Sequence, residues 1–299
     1  METGTKSGEV RVEKVGGKSM VTKCFSKYPL KFIIPKKAGP SKTDSVWIYS
    51  LTYGGGIVSG DVISSGLYVG DGSTTVLTTQ ASTKVYKSLG SKCSEQLFEA
   101  EIGSDALLVV IPDPVTCFST ARYSQKQVFR VVPGSSLVLV DWITSGRHES
   151  GEVWDFNLYK STNNIFFSDG QPLFLDTVLL EQGGIAPLAE RMQDYRVIAM
   201  VVLLGPKLRH VQIRIQEDVK TMMSGQLRVS FSSLNCRKKP NPHNTSPDKP
   251  ALVASCSAFG PKRVGVVVRI ASMTTESVYS FLRHQLEDLE PLIGLSPYC

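Results

Sequence analysis

Long hydrophobic runs are missing from this 299-residue sequence. The longest of them, Val197–Leu204, is far shorter than the roughly 18 consecutive apolar residues that a membrane-spanning helix needs. Residues Met1–Gly17 contain neither an apolar stretch nor the small-residue cleavage site of a secretory signal. Together these two absences predict an intracellular, cytoplasmic protein.

Closely spaced metal ligands are also missing. Six cysteines and four histidines are scattered along the chain, and no two cysteines form a CxxC pair. A structural zinc site needs such pairs, and a disulfide framework needs a secreted context. The sequence therefore predicts no tightly bound metal or cofactor.

Nucleotide-binding and hydrolase motifs are incomplete. The glycine cluster Gly54–Gly60 is followed by Asp61 and Val62, where a Walker A loop has Lys and then Ser or Thr to reach phosphate oxygens. A dinucleotide fingerprint fails because β-prone residues follow the glycines instead of a helix. No GxSxG elbow occurs, which argues against an α/β-hydrolase serine.

Positive charge is concentrated at one end of the chain. Residues 1–42 carry ten lysines and arginines against three glutamates, while the whole chain has a formal charge of +6. We interpret these lysines as the solvated face of edge strands, which is a common protection of sheet edges. The alternative is a polyanion site, but no nucleic-acid-binding module accompanies the charge.

Most of the chain has the pattern of short β-strands. Segments rich in Val, Ile, Thr, Phe and Tyr alternate with Gly, Pro, Ser or Asp-Gly turns, a spacing typical of a sandwich, barrel or β-solenoid. The predicted strands are Val46–Thr52, Val62–Val69, Thr74–Thr79, Gln96–Ile102, Ala106–Ile111, Gln125–Val132, Leu137–Ile143, Glu152–Tyr159, Leu173–Leu180, Arg196–Leu204, His210–Ile215, Gln226–Phe231, Leu252–Ser257 and Val264–Ile270.

Helical periodicity is limited to the C-terminal part. Apolar residues from Val278 to Leu289 follow helical spacing after Thr274, a suitable N-cap, and Pro291 is expected to end this helix. A weaker helical pattern covers Glu217–Ser224. Between them, Lys238–Pro250 holds four prolines and predicts a flexible, exposed loop at about residues 237–250.

Asp141 stands out within an apolar strand. The two-residue period of a strand points it the same way as Leu137, Leu139 and Ile143. A carboxylate on an apolar face is costly unless it is paired, hydrogen-bonded or facing a wet cavity. An ion pair with Arg147 and a wet cavity are both open interpretations from the residues alone.

Several motifs, in order, resemble the UreD (or UreH) family of urease accessory proteins over about residues 30–297. They are Gly55-Gly56-Ile57-Val58-Ser59-Gly60-Asp61, the run from Leu77 to Lys87 with Ala81-Ser82-Thr83-Lys84-Val85-Tyr86, Ile111-Pro112-Asp113-Pro114, Ser145-Gly146-Arg147 with Gly151-Glu152, and the helix with Phe281-Leu282-Arg283. Tyr53 and Gly54 replace two family prolines, and Gln80-Ala81 lacks the usual Pro-Gly turn. With these departures and the proline-rich loop, the sequence resembles a plant-type, eukaryotic member of the family.

The resemblance implies a non-enzymatic nickel metallochaperone scaffold for maturation of apo-urease. It implies an elongated, mainly β fold of sandwich or β-solenoid type, forming a single domain over residues 1–299, with about two helices toward the C-terminal part. It also implies that the protein binds F- and G-type accessory proteins and apo-urease in a hetero-oligomer, a dimer of heterotrimers. No nucleic acid or membrane is expected as a partner. Ni²⁺ is expected to pass transiently through an internal passage. Matching family positions place the passage at Asp61, Thr83, Asp141 and Asp176, with Lys84, Tyr86, Arg147 and Glu152 as structural motif partners.

A carboxylate-dependent glycoside hydrolase is the alternative from a different functional class. Asp61 and Asp141 would then form an acid/base pair across an open groove with aromatic sugar platforms. Aromatic residues make up only 8% of the chain and do not cluster around either aspartate, which argues against this alternative.

Overall fold

A computed structural model describes residues 6–36, 43–235 and 249–298, with side chains given except at 226–235. Most of the proline-rich loop at about 237–250 lies outside the described residues. The strands are β1 Gly8–Val15, β2 Lys18–Ser26, β3 Leu30–Ile33, β4 Val46–Thr52, β5 Val62–Val69, β6 Thr74–Thr78, β7 Thr83–Val85, β8 Ser94–Ile102, β9 Leu107–Val110, β10 Val115–Cys117, β11 Arg122–Val131, β12 Ser136–Thr144, β13 Leu158–Phe167, β14 Pro172–Glu181, β15 Val197–Leu204, β16 Leu252–Phe259 and β17 Gly265–Ser272. The α-helices are α1 Leu188–Met192, α2 Arg209–Asn235, α3 Thr275–Leu286 and α4 Glu290–Ile293.

The strands form two sheets that the chain visits in turn. One sheet has the order β14-β13-β11-β8-β5-β1-β2, and the other β16-β17-β15-β12-β9-β6-β4-β3; β10 pairs with β12, and β7 pairs with β10. Neighbours from β1 to β13 in the first sheet, and from β4 to β12 in the second, are parallel. From β4 to β13 the chain passes repeatedly from one sheet to the other and so winds as a β-solenoid-like coil, which confirms the predicted mainly β fold.

The central strands of the second sheet are buried on both faces. All residues of β9 and β12 are buried, as expected for parallel strands covered on two sides. Leu137 and Leu139 pack toward the first sheet, whereas Val138 and Val140 pack toward the helices. Asp141 follows the parity of Leu137 and Leu139, so it faces the interior between the sheets.

Helix α2 replaces two predicted strands. The predictions of strands at His210–Ile215 and Gln226–Phe231 are wrong, because both segments lie inside α2. The alternation of Val211, Ile213 and Ile215 favoured a strand, but only Val211 and Ile215 are buried, together with Val219, while Ile213 is 45% exposed. This burial spacing is helical, and α2 contains the whole of the weak helical segment Glu217–Ser224, which confirms that prediction.

Helix α3 confirms the helix predicted after Thr274. The Thr274 hydroxyl accepts a hydrogen bond from the Ser277 amide at 3.2 Å, which caps the helix. The helix ends at Leu286 and continues as a 3₁₀ turn, Glu287–Leu289. Pro291 does not end the helical segment but lies in the first turn of α4, where a missing amide hydrogen costs nothing.

The lysine-rich N-terminal residues form edge strands, as the charge pattern predicted. Strand β2 is the outer strand of the first sheet and β3 of the second. Lys18, Lys23 and Lys31 are exposed on them. Among the described helices, none combines the length and apolar character needed to cross a membrane.

Candidate functional site

A buried carboxylate lies between the two sheets. Asp141 on β12 is 9% exposed and accepts hydrogen bonds from three side chains of the opposite sheet. Gln125 Nε2 donates to Oδ1 at 2.7 Å, and Ser161 Oγ and Asn163 Nδ2 donate to Oδ2 at 2.5 and 2.7 Å. Strands β11 and β13, parallel neighbours, position these donors on one interior face.

Among the described residues, no positively charged side chain donates a hydrogen bond to Asp141. Its three donors are neutral, and burial raises the pKa of the Asp141 carboxyl above its usual range, while the three hydrogen bonds oppose that rise. Burial also raises the pKa of Tyr159 nearby. The ion pair of Asp141 with Arg147 is therefore a wrong interpretation, and the hydrogen-bonded carboxylate beside a cavity is the observed alternative.

An oxygen-rich cavity of about 80 Å³ opens beside Asp141. Asp141, Thr83 and the side-chain amide of Gln125 line it, together with further hydroxyl and amide groups. Its wall residues Thr79, Thr83 and Gln96 also line a second cavity of about 220 Å³, which reaches the turn at Gly55. Thr83 thus lies where two cavities meet.

A wide cleft adjoins the same cavity from another side. It has a volume of about 660 Å³ and is lined by Asp113, which also lines the cavity beside Asp141. Tyr279 Oη donates to Asp113 Oδ1 at 2.7 Å, and Thr274 of the α3 cap lies in the cleft wall. The interior is therefore bordered by an open surface cleft near the start of α3.

A third cavity, of about 60 Å³, connects Asp141 with Asp176 on β14. Asp176 Oδ1 accepts a hydrogen bond from Arg269 at 2.6 Å, and that guanidinium is about half exposed. Asp176 Oδ2 is buried and has no hydrogen-bond partner among the described residues. Asp141 thus lines two cavities, one together with Thr83 and the other together with Asp176.

Asp61 lies apart from these two cavities. It precedes β5, and its Oδ2 accepts the Val58 amide hydrogen at 2.9 Å, which closes a tight turn. It lines neither cavity that contains Asp141. The position of Asp61 therefore supports neither a passage shared with Asp141 nor a glycosidase acid/base pair formed by these two aspartates.

The motif residues around the cavities hold the neighbouring loops. Arg147 contacts Glu152 through two hydrogen bonds, of 2.5 and 3.1 Å, and lies over the Phe118 ring at 4.1 Å. Arg147 lowers the pKa of the Glu152 carboxyl despite its burial. Tyr86 Oη donates to the Gly54 carbonyl at 3.1 Å, while the Lys84 side chain is exposed.

The polar partners of Asp141 were missed in the sequence. Ser161 and Asn163 are fully buried, and Gln125 is 8% exposed, although they occupy alternating positions that resemble a solvent-facing side. Alternation gave no signal there, because Lys126 follows Gln125 and Thr162 separates Ser161 from Asn163, so both faces of these strands carry polar residues. Within the described ranges, no group of three or more His, Cys, Asp and Glu residues is arranged to hold a metal ion.

Comparison with known proteins agrees with this scaffold. A family model described as the UreD urease accessory protein matches residues 5–299. The chain is 64% identical over 292 residues to urease accessory protein D of Arabidopsis thaliana, covering 98% of this chain and 99% of that protein. It is 59% identical to the protein of the same name from Oryza sativa subsp. indica, covering 98% and 95%.

More distant relatives extend the same match to bacteria. Urease accessory protein UreD of Anaeromyxobacter sp. is 32% identical over 299 residues, covering 99% of this chain and 90% of that protein. The molecule is therefore of the urease accessory class, whose members are maturation factors and not catalysts. The chain belongs to the UreD family of urease accessory proteins. The glycoside hydrolase alternative is wrong.

Proposed function

We propose that this chain conducts nickel through its interior during the maturation of apo-urease. In this proposal it acts in the cytoplasm, in a hetero-oligomer with the F- and G-type accessory proteins, and holds no resident cofactor. Family membership supports a part in urease maturation and association with other maturation factors. The nickel cargo and these particular partners are our inference.

The observation that carries the proposal is the set of cavities on both sides of Asp141. Thr83 lines the one cavity with this carboxylate and Asp176 lines the other, so oxygen groups recur in the walls of both cavities. Nickel in proteins favours imidazole and thiolate ligands, and oxygen ligands hold it more weakly. A route of oxygen groups therefore suits an ion that must enter each site and leave again.

Asp141 is suited to exchange a proton for the metal. Burial raises the pKa of the Asp141 carboxyl, while its three hydrogen bonds oppose that rise. A raised pKa means that a proton competes more strongly with a divalent cation for this carboxylate. In this proposal the competition limits how strongly the site retains nickel.

The substitution Asp141→Asn tests the proposal. It preserves the shape of the side chain and removes the negative charge, so we expect the complex to assemble while nickel insertion falls at least about tenfold. The measurement is activation of apo-urease in a reconstituted system, with nickel counted on the purified product. Asp169→Asn, an exposed aspartate in the β13–β14 turn, is the matched control.

A second substitution addresses the far side of the route. Asp176→Asn removes a carboxylate whose Oδ2 faces no hydrogen-bond partner among the described residues, and we expect a loss of insertion similar to that of Asp141→Asn. Full activation by both variants, with normal nickel content, would contradict the proposed passage. Failure of either variant to bind its partners would instead indicate a structural role.

A further inference from the structure

Strand β14 presents an unusually apolar edge. It is the outer strand of the first sheet and spans ten residues, none of them lysine or arginine. Leu175 and Leu179 are 59% and 55% exposed along it. A sheet edge leaves backbone donors and acceptors unpaired, and proteins usually protect it with charge, a short strand or a cover.

The other sheet edges carry such protection. Strand β2, at the opposite edge of the same sheet, exposes Lys18 and Lys23, and β3 is only four residues long. Strand β16 contacts helix α2 and has no large hydrophobic residue among the exposed ones. Within the described part of the chain, β14 is thus the long edge that combines exposed leucines with no basic residue of its own. Arg191 of α1 contacts only its last residue, where it donates to the Glu181 carbonyl at 2.6 Å.

The backbone of β14 offers its free groups at alternate residues. The Gln182 amide donates to the Asn157 carbonyl at 3.1 Å, and the pairing register continues this antiparallel ladder into β13. Hydrogen-bonded and non-hydrogen-bonded pairs alternate in such a ladder. Leu175, Thr177 and Leu179 therefore point their N–H and C=O groups away from β13, toward the open edge.

We propose that this edge pairs with β14 of a second copy, in an antiparallel arrangement with its two-fold axis at Thr177. In this register Thr177 faces Thr177, and Leu175 of each copy faces Leu179 of the other. A cross-strand Thr–Thr pair stabilises an antiparallel sheet, and the facing leucines would remove apolar surface from water. The β14 edge is therefore self-complementary. Two copies can pair through the same residues, as a two-fold interface requires.

The charges of β14 permit this register. Glu181 of one copy faces Leu173 of the other, and Asp176 faces Val178, so no two carboxylates lie directly opposite. The nearest like pair, Asp176 with Asp176, is diagonal, and each is neutralised by Arg269 of its own copy at 2.6 Å. A second copy fits this edge better than an acidic or a basic segment, since the edge presents no patch of one charge.

The size of the contact sets the expected affinity. One strand edge of ten residues buries less than the roughly 1,200 Å² of a standard stable interface. We therefore expect a weak dimer, with a dissociation constant of about 10 μM or higher. The dimer would join the two first sheets into one continuous sheet. This inference is independent of the proposed nickel passage.

Sedimentation equilibrium of the full chain across about 1–200 μM tests the proposal. We expect a concentration-dependent monomer–dimer equilibrium, and its weakening by at least about tenfold in the double variant L175K/L179K, which places lysine opposite lysine. Met20→Lys is the matched control, because Met20 is 50% exposed on β2 at the opposite edge of the same sheet. Its equilibrium should equal that of the unchanged chain.

A cross-link tests the register by a second route. Opposed residues of a hydrogen-bonded pair have Cα atoms about 5.5 Å apart, within the range of a disulfide. Thr177→Cys should therefore form a covalent dimer under mild oxidation, beyond the background of the parent chain and of Thr162→Cys on β13. A chain monomeric at 200 μM, a double variant that dimerises normally, or equal cross-linking at both positions would overturn the proposal.

Discussion

At the scale of single residues, Asp141 shows why a carboxylate can remain inside a β core. Three hydrogen bonds satisfy its oxygens, and the cavities beside it leave room for a cation. An apolar residue in its place would remove the acceptor that Gln125, Ser161 and Asn163 share and leave Gln125 and Asn163 only their hydrogen bonds to Ser161 Oγ. Each buried group left unsatisfied would cost about 1–3 kcal/mol. The cluster is therefore held together as a unit.

The pH dependence of stability should reveal this residue. Because the folded-state pKa of Asp141 is raised above its unfolded value, the folded state binds the proton more strongly. Its contribution is fully present below the unfolded pKa and is lost as the pH rises through the folded pKa. We expect Asp141→Asn to gain stability relative to the unchanged chain as pH increases from about 4 upward, measured by urea unfolding.

A matched comparison separates this effect from general charge removal. Asp169→Asn alters an exposed carboxylate, so its difference from the unchanged chain should stay nearly constant with pH. If Asp141→Asn showed the same flat difference, the carboxyl of Asp141 would have an ordinary pKa. The proton exchange proposed for nickel transit would then lose its basis.

At the scale of elements, the cap of α3 fixes one wall of the surface cleft. Thr274 accepts from the Ser277 amide and lines the cleft that shares Asp113 with the interior. We expect Thr274→Ala to cost about 1 kcal/mol of unfolding free energy, since one helix-end donor loses its acceptor. Thr275→Ala, at the first helical position, is the control and should change stability by less than half as much in chemical denaturation.

Gly205 makes the sharp connection from β15 toward α2. Its φ is +100°, and a β-carbon there would lie 2.2 Å from the Ser135 carbonyl oxygen. We expect Gly205→Ala to destabilise the fold by about 3 kcal/mol or more, through backbone strain together with a clash. The strain and the clash can be separated.

Gly134→Ala provides that separation. Gly134 has a similar φ of +90° but nothing within 4 Å of an added β-carbon, so only the backbone strain applies. We expect a cost of about 1–2 kcal/mol for this variant in thermal or urea unfolding. Equal costs for both substitutions would mean that the connection to α2 shifts freely, contrary to its close packing.

The elements themselves were largely predictable, with failures that have physical causes. The predicted strands Val46–Thr52 and Val62–Val69 match β4 and β5 in full, because turn-forming residues in the sequence mark where these strands end. Glu152–Tyr159 was mostly wrong: β13 begins at Leu158, after buried Trp154 and Phe156 in an irregular segment. Apolar content there reflects burial of a loop beneath α1, not strand periodicity.

At the scale of the whole molecule, the winding of the chain creates the site. Residues of β11, β12 and β13 meet around Asp141 because consecutive strands pass between two facing sheets. Such pairing joins residues far apart in sequence, so periodicity predicts the strands but not their order. The resemblance predicted Thr83, Asp141 and Asp176 together, whereas the residue pattern alone singled out Asp141.

The central claim is that cargo crosses the interior of the sandwich, and a steric block tests it most directly. Thr83→Phe fills the junction of two cavities without changing charge, whereas Thr22→Phe on the exposed edge strand β2 is the control. The measurement is single-turnover transfer of radiolabelled nickel to apo-urease by the assembled accessory complex. The account predicts loss of transfer with Thr83→Phe and normal transfer with Thr22→Phe. Transfer at the unchanged rate through a folded, assembled Thr83→Phe complex would contradict it.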